Sequence, residues 1–211
     1  MNEKKVAEIL LKVKAVTLNP SKPYTYASGI KSPIYCDNRL LISHPVERKI
    51  IVDAFLELIE QNALKFDVIA GTSTAGIPWA AWISSKLDKP MVYIRGEAKQ
   101  HGKGNQIEGK LAAGQKVIVI EDLISTGGSS KAAVDAVKEA GNEVVACVAI
   151  FTYEMEKAKK AFSDCKLLTL TKFSTLIDVA HKSNYIDEED MEKALAWNKN
   201  PEGWAKKMGL E

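Results

Sequence analysis

The stretch Val117-Ile-Val-Ile-Glu-Asp-Leu-Ile-Ser-Thr-Gly-Gly128 joins an apolar strand, a pair of carboxylates and a loop of small residues. The four β-branched residues 117–120 are typical of a parallel strand that is buried on both faces. Residues 129–140 have the pattern of a helix, so the loop lies at the carboxyl end of a strand, where open α/β sheets bind ligands. Hydroxyl side chains and two glycines allow backbone N–H groups and a helix N-terminus to converge on one anion. We therefore expect a phosphate site in this loop.

The acids Glu121 and Asp122 require a second ligand. They would repel a phosphate unless they bind sugar hydroxyls, or a Mg²⁺ that the phosphates also hold. The sequence contains neither G-x-x-x-x-G-K-[ST] nor G-x-G-x-x-G after a strand, so a nucleoside triphosphate or dinucleotide loop is not indicated. A ribose phosphate satisfies both the acids and the loop. The alternative is an ordinary strand-to-helix turn whose acids have no function.

Helical and strand patterns alternate along the chain. We predict helices near 2–16, 44–63, 77–87 and 129–140, a short hairpin near 24–41, and strands at 67–70, 91–95, 116–121, 143–151 and 166–170, with two short helices after the last strand. Strands separated by helices favour an α/β fold with a mostly parallel central sheet flanked by helices. We expect one domain over residues 1–211, with a small cap formed by the N-terminal hairpin and the C-terminal helices, at about 1–42 and 171–211.

Composition and charge exclude several classes of protein. The net charge is only +2, with acidic and basic residues interspersed, so a broad nucleic-acid surface is not supported. The three cysteines show no C-x-x-C spacing, and no apolar run has the length of a signal peptide or a membrane span. We expect a cytoplasmic protein without a nucleic-acid or membrane partner.

A basic, glycine-rich segment occupies residues 96–109, directly after Arg95. It has no apolar periodicity and carries Lys99, His101 and Lys103 at alternate positions. A long loop in a compact domain is often a lid, and this one would close over an anionic substrate and place positive charge on a leaving group. A flexible solvated loop with ordinary surface lysines is the alternative.

The stretch 117–128 resembles the phosphoribosyl-pyrophosphate (PRPP) loop of type I phosphoribosyltransferases. The resemblance implies that fold, and it implies that Glu121 and Asp122 hold the ribose 2- and 3-hydroxyls while the loop holds the 5-phosphate. The PRPP-binding residues that it implies are Arg95, Lys99, His101, Glu121, Asp122, Leu123, Ile124, Ser125, Thr126, Gly127, Gly128 and Ser129.

The pattern Arg95-x-x-x-Lys99-x-His101-Gly102 is similar to the catalytic loop of the orotate members of that family. There the loop covers pyrophosphate and is donated across a dimer interface. The resemblance therefore implies a homodimer with a shared lid and catalytic roles for Arg95, Lys99 and His101. This chain departs at Gly96, where some members carry a second lysine that contacts pyrophosphate.

The segment Ser28-Gly-Ile-Lys-Ser-Pro-Ile-Tyr35 closely resembles the S-G-x-K-S-P-x-Y motif of orotate phosphoribosyltransferases. It implies that Lys31 reaches both the anionic base and PRPP, that Tyr35 or Cys36 packs on the plane of the base, and that Ser125 with its adjoining N–H groups also binds orotate. From the residues alone, a surface hairpin with an idle lysine is equally supported. The stretch Gly71-Thr-Ser-Thr-Ala-Gly-Ile-Pro78 predicts a second strand-to-helix turn beside the first, which suits a doubly phosphorylated substrate. Some family members carry a lysine where this turn has Ala75, and an arginine where this chain has residues 151–155.

The resemblance implies transfer of the 5-phosphoribosyl group from PRPP to orotate, giving orotidine 5'-monophosphate and pyrophosphate in UMP synthesis. It also implies Mg²⁺ as cofactor, held mainly by PRPP and without a direct protein ligand. Two alternatives stay open at this point: a phosphoribosyltransferase for a purine base, and a regulator that binds PRPP without catalysis.

Overall fold

The computed structural model describes residues 2–26, 28–96 and 106–210. Within these ranges the helices are α1 (Glu3–Lys12), α2 (Pro45–Gln61), α3 (Gly76–Leu87), α4 (Gly128–Glu139), α5 (Glu156–Ala161), α6 (Phe173–Lys182), α7 (Glu188–Lys199) and α8 (Pro201–Lys207), with a 3₁₀ helix at Asn38–Ser43. The strands are β1 (Val16–Leu18), β2 (Tyr24–Thr25), β3 (Lys31–Ser32), β4 (Ile34–Cys36), β5 (Val68–Thr72), β6 (Met91–Ile94), β7 (Ile107–Glu108), β8 (Lys116–Ile124), β9 (Glu143–Thr152) and β10 (Leu167–Lys172).

A mostly parallel sheet forms the centre of the molecule, as predicted. Among the described residues its strand order is β10-β9-β8-β5-β6-β7, and only β7 runs antiparallel to its neighbour. The strand β7 corrects the interpretation of 96–109 as one loop, because Tyr93 pairs with Glu108 and Ile94 with Ile107. A strand of two residues is too short to produce a periodic signal in the sequence.

The strand β8 is central because it has a parallel partner on each side, β5 and β9. Residues Val117, Ile118, Val119 and Ile120 are each 0% exposed, as expected for a strand covered on both faces. The strand continues to Ile124, three residues beyond the predicted end, so Glu121 and Asp122 lie on the strand itself. Both acids are therefore placed at the carboxyl edge of the sheet, where the predicted phosphate loop begins.

Close contact between α3 and β8 brings a second strand-to-helix turn to this edge. A Cβ atom on Gly76 would lie 2.4 Å from the carbonyl oxygen of Ile120 and 2.5 Å from Thr72 Oγ1. Thr72 Oγ1 itself donates to the Ile120 carbonyl oxygen over 3.2 Å. Glycine is thus required at position 76 for the start of α3 to approach β8.

The N-terminal region differs from the prediction. Helix α1 ends at Lys12 and not near residue 16, and β1 then pairs antiparallel with β4. The predicted hairpin near 24–41 is reduced to β2 and β3, which pair through Tyr24 with Ser32 and Thr25 with Lys31. Pairing between distant segments overrides the helical pattern of residues 13–16, because the partner strand is not visible in the local sequence.

The C-terminal helices pack against the β2–β3 hairpin. Three helices, α6, α7 and α8, follow β10 in the described chain, where two were predicted. Trp197 is fully buried, and its Nε1 donates to the carbonyl oxygen of Lys31 over 3.0 Å. Its ring contacts Tyr26, Tyr153 and Phe173 at centroid distances of 6.4, 5.7 and 5.9 Å. No helix in the described part of the chain is long and apolar enough to span a membrane.

Candidate active site

A cavity of about 300 Å³ lies at the carboxyl edge of the sheet. It is lined by Ser73, Thr74, Ala75, Glu121, Asp122, Leu123, Ser125, Thr126, Gly127, Gly128, Ser129 and Ser130. The turn between β5 and α3 and the loop between β8 and α4 therefore face one space, as the sequence predicts. Hydroxyls and backbone groups from both turns surround it, with one pair of acids.

The loop into α4 is shaped for an anion. Gly127 precedes the helix with φ +83°, a conformation that residues with a Cβ rarely adopt. A side chain there would also meet the Phe162 ring at 3.2 Å and the Ala158 backbone at 3.3 Å. The first N–H groups of a helix have no partner within the helix, and they carry the positive end of its dipole. The start of α4 therefore offers several N–H donors beside the cavity.

Glu121 is held rigidly within this site. It is 7% exposed, its Oε2 accepts from Ser130 Oγ over 2.9 Å, and its Oε1 accepts from the Asp122 N–H over 3.0 Å. Each carboxylate oxygen has two lone pairs, so both can still accept a hydrogen bond from a ligand. The carboxylate is thus oriented before a ligand arrives.

Asp122 is the electrostatically unusual group of the site. Burial, and next the adjacent Glu121, raises the pKa of Asp122 from its usual 3.8 to about 7. Hydroxyl donors or a cation at this position would favour the charged form of the carboxyl. Its backbone is held as well, because Asn38 Nδ2 donates to the Asp122 carbonyl oxygen over 2.7 Å. The pair of acids is therefore prepared for a ligand that supplies hydrogen bonds or positive charge.

Arg95 lies at the end of β6, where its Nη1 is 3.5 Å from Glu108 Oε1. The Arg95 N–H donates to the Gln106 carbonyl oxygen over 2.9 Å, and Gln106 Nε2 donates to the Arg95 carbonyl oxygen over 2.9 Å. These contacts join the two ends of the basic segment 96–109. The predicted catalytic residues Lys99 and His101 lie outside the described residues.

A second cavity of about 380 Å³ shares Ser125 and Thr126 with the first. Its apolar and aromatic walls include Tyr26, Ile30, Met155 and Trp197, and its charged residues are Glu156, Lys157, Lys199 and Glu202. Lys157 Nζ pairs with Glu202 Oε1 at 3.0 Å across this cavity, where both side chains are exposed. A planar anion could thus lie against the aromatic wall with its charge toward lysine.

Of the predicted base-binding residues, Ser125 lines both cavities, but Lys31 and Tyr35 line neither of them. Lys31 Nζ donates to Thr25 Oγ1 over 2.9 Å, and the exposed Tyr35 ring lies 5.6 Å from the Tyr24 ring. Burial raises the pKa of the Cys36 thiol well above its usual value, and the charge of Asp122 adds to the effect.

Most of the residues predicted for the phosphate loop line the first cavity. Glu121, Asp122, Leu123 and 125–129 all line the first cavity, whereas Ile124 is a buried core residue beside them. Asn38 was missed, and Ser130 was predicted only as one of the loop hydroxyls and not as a partner of Glu121. Ser130 ends the run of hydroxyls after Ile124, which is a weak sequence signal; nothing in the sequence singles out Asn38, which reaches the site only through the fold.

The family model and two relatives that this chain matches belong to the phosphoribosyltransferases. A family model described as the phosphoribosyl transferase domain matches residues 41–187. An orotate phosphoribosyltransferase of Listeria innocua is 59% identical over 97% of this chain and 99% of its own length. Another, of Coxiella burnetii, is 56% identical over 94% of this chain and 96% of its own length. The match therefore extends through both turns and the strand that carries the acids.

Solved structures share the architecture. An orotate phosphoribosyltransferase from Aeropyrum pernix has a TM-score of 0.74 at 27% identity, covering 86% of this chain and 99% of that one. A UMP synthase from Leishmania donovani has a TM-score of 0.79 at 27% identity, covering 93% of this chain and 42% of that one. An orotate phosphoribosyltransferase from Mycobacterium tuberculosis in complex with PRPP shares the fold, with a TM-score of 0.64 at 23% identity over 82% of this chain and 98% of that one.

Proposed function

Since the chain belongs to the orotate phosphoribosyltransferases, within the phosphoribosyl transferase domain family, we propose that it transfers the 5-phosphoribosyl group from PRPP to orotate. The products are orotidine 5'-monophosphate and pyrophosphate, in UMP biosynthesis. The observation that supports this function is that Glu121, Asp122 and the amino end of α4 line one cavity, in which Ser130 holds the Glu121 carboxylate. A ribose phosphate supplies hydroxyl donors to the acids and an anion to the loop.

The reaction places its main demand on position and charge. Pyrophosphate leaves the ribose carbon, which becomes cationic as the bond breaks, so no nucleophilic side chain is required. Glu121 and Asp122 hold the ribose 2- and 3-hydroxyls, and residues 125–129 hold the 5-phosphate. The ribose carbon is then fixed between the leaving group and the base, and the negative acids lie on the ring that becomes positive.

Charge on the departing pyrophosphate is neutralised by Arg95, Lys99 and His101, with His101 as a proton donor. Arg95 supports this role because the ladder of β6 and β7 holds it at the base of the segment that contains the other two. The turn Ser73–Thr74–Ala75 adds backbone and hydroxyl groups where some family members have a lysine.

Mg²⁺ is the cofactor that we propose, held mainly by PRPP. No group of three or more His, Cys, Asp or Glu residues in the described ranges could hold a metal ion by itself. The oxygen donors of Glu121 and Asp122 nevertheless suit a hard cation that reaches them through the ribose hydroxyls. When bound, the ion supplies positive charge to the pyrophosphate oxygens.

Orotate enters beside Ser125, where the two cavities meet. Lys31 and Tyr35 are the family-implied partners of the base, while Lys199 offers a second cation at the wall of the larger cavity. Comparison of Lys31→Met with Lys199→Met decides between them. The variant that removes the carboxylate contact raises the KM for orotate more than the KM for PRPP.

We further propose a cytoplasmic homodimer in which residues 96–109 of one subunit close over the site of the other. The free thiols of Cys36, Cys147 and Cys165 suit a reducing compartment. Mixing Lys99→Ala subunits with Asp122→Asn subunits tests the shared lid. Activity regained on mixing, relative to each variant alone, supports the exchange, and additive residual activity excludes it.

The proposed reaction is tested by the ultraviolet absorbance of orotate mixed with the purified protein, PRPP and Mg²⁺, with each component omitted in turn. A decrease that requires all components, with orotidine 5'-monophosphate as product, supports the function. Unchanged orotate together with consumption of hypoxanthine, xanthine or adenine would replace orotate by a purine base.

A further inference from the structure

Two buried side chains from different elements contact the acidic pair. Ser130, in the first turn of α4, is 1% exposed and donates its hydroxyl to Glu121 Oε2 over 2.9 Å. Asn38, at the start of the 3₁₀ helix Asn38–Ser43, is also 1% exposed and donates through Nδ2 to the carbonyl oxygen of Asp122 over 2.7 Å. Neither residue belongs to the loop that the family resemblance marks out.

The bond from Ser130 determines how Glu121 faces the cavity. Because Oε1 already accepts from the Asp122 N–H, the Ser130 hydroxyl is the contact that fixes the other oxygen. A hydrogen bond to a charged group is shorter than one between neutral groups and roughly twice as strong. Without it, the buried carboxylate can rotate about its last bond and lose its alignment with the ribose hydroxyls.

Asn38 acts on the strand and not on a carboxylate. Its Oδ1 is buried without a hydrogen-bond partner among the described residues, so the amide costs free energy at this position. The contact of Nδ2 with Asp122 is what offsets that cost, and an apolar residue of similar volume would not provide it. This bond ties the end of β8 to the segment that follows β4.

We propose that Ser130 and Asn38 are positioning residues that align Glu121 and the backbone at Asp122 with the two ribose hydroxyls of PRPP. The inference rests on the proposed function, because it takes PRPP as the ligand. It links the helix that binds the 5-phosphate to the acid that binds the ribose, since Ser130 belongs to that helix. Order in the phosphate loop and orientation of Glu121 are therefore coupled.

Titration calorimetry with PRPP and, separately, with pyrophosphate tests the proposal, both in the presence of Mg²⁺. Ser130→Ala is expected to weaken PRPP binding roughly tenfold to a hundredfold, the scale for a misplaced positioning group, and Asn38→Leu to weaken it less. Pyrophosphate lacks the ribose, so its affinity is expected to stay unchanged in both variants. Ser130→Thr keeps the hydroxyl and is expected to restore PRPP binding.

The matched control is Ser84→Ala in α3, where the lost hydroxyl donates only to the Ala81 carbonyl oxygen over 3.1 Å. It is expected to bind both ligands like the wild type. If Ser130→Ala does not fold, Ser130→Cys, of similar volume but with a weak donor, carries the same expectation.

Equal weakening of PRPP and pyrophosphate would show a merely structural role and overturn the inference. Wild-type PRPP affinity in Ser130→Ala would overturn it too, while the proposed function would stand. Failure of the wild-type protein to bind PRPP at all would overturn both.

Discussion

The ribose-phosphate side and the base side of the site are built in different ways. The first lies on a long buried strand with a parallel neighbour on each side, and its key contact, between Ser130 and Glu121, spans nine residues of sequence. The second is assembled from two-residue strands and helix ends, and its Trp197–Lys31 contact spans 166 residues. Binding of the shared ribose phosphate is thus assigned to the rigid core, and recognition of the particular base to a cap held by distant contacts.

On the ribose-phosphate side, the largest effect should come from the positive charge placed on the leaving pyrophosphate. We expect Lys99→Ala to lower turnover roughly a hundred- to a thousand-fold, because one preorganised cation of the transition state is lost while the fold survives. Steady-state kinetics of a homodimer free of wild-type subunits measures it, with Lys103→Ala in the same segment as the matched control. Wild-type turnover in Lys99→Ala would remove the lid from the mechanism.

The carboxyl of Asp122 provides a test of the electrostatic cost of the acidic pair on the core side. Burial raises its pKa from 3.8 to about 7, so the folded protein holds this proton more tightly than the unfolded chain. The contribution of Asp122 to stability therefore falls as the pH rises through that window, and is constant above it. Over this range we expect the free energy of unfolding of the wild type to fall on the order of 2–4 kcal/mol more than that of Asp122→Asn. Chemical denaturation of both proteins at several pH values between 3.8 and about 7 measures this difference in the free energy of unfolding. Parallel plots of that free energy against pH would contradict the raised pKa of Asp122.

Rigidity of the core side is tested at Gly76, where a Cβ would lie 2.4 Å from the Ile120 carbonyl oxygen. We expect Gly76→Ala to lower the free energy of unfolding by about 1–3 kcal/mol, the usual cost of overpacking. Urea denaturation measures it. Gly96→Ala is the matched control, because a Cβ on Gly96 meets no atom of the described residues within 4 Å. Equal stability of the two variants would show that the approach of α3 to β8 is not tight.

We expect the smallest effect from the hydrogen bond between Trp197 and Lys31 in the cap. Trp197→Phe keeps most of the ring but loses the hydrogen bond to the Lys31 carbonyl oxygen, at a cost of about 1 kcal/mol. Since the bond holds the hairpin next to the larger cavity, we expect the KM for orotate to rise while that for PRPP changes little. A parallel rise in both constants would mean that the cap supports the whole site and not the base side.

The parts that the sequence predicted are those specified by nearby residues. The run Val117–Ile120 predicts a buried strand, and the small residues after Ile124 predict a loop at its carboxyl end that opens a helix. The structure confirms the strand and the position of the loop, and it extends the strand to Ile124. Binding of an anion by this loop stays a prediction. The turn Ser73–Ala75 was found in the same way, because its strand and helix flank it directly. Hydrophobic periodicity and turn composition are local properties, so they are readable without the fold.

What the sequence did not predict depends on pairing at long range. Residues 13–16 continue an apolar helical pattern, yet β1 pairs with β4. Asn38 gains its role only because the 3₁₀ helix lies against the end of β8. The family resemblance suggested Lys31 and Tyr35 for the base, but the Lys31 side chain donates to Thr25 and the Tyr35 ring packs on Tyr24. The roles of Lys31 and Tyr35 stay predictions, as do those of Lys99 and His101.

A crystal structure with PRPP and Mg²⁺ bound tests the central assignment most directly. We expect the ribose 2- and 3-hydroxyls within hydrogen-bond distance of the Glu121 and Asp122 carboxylates, and the 5-phosphate on the N–H groups of residues 125–129. A 5-phosphate bound on the turn Ser73–Ala75, with the acids facing no hydroxyl, would contradict it.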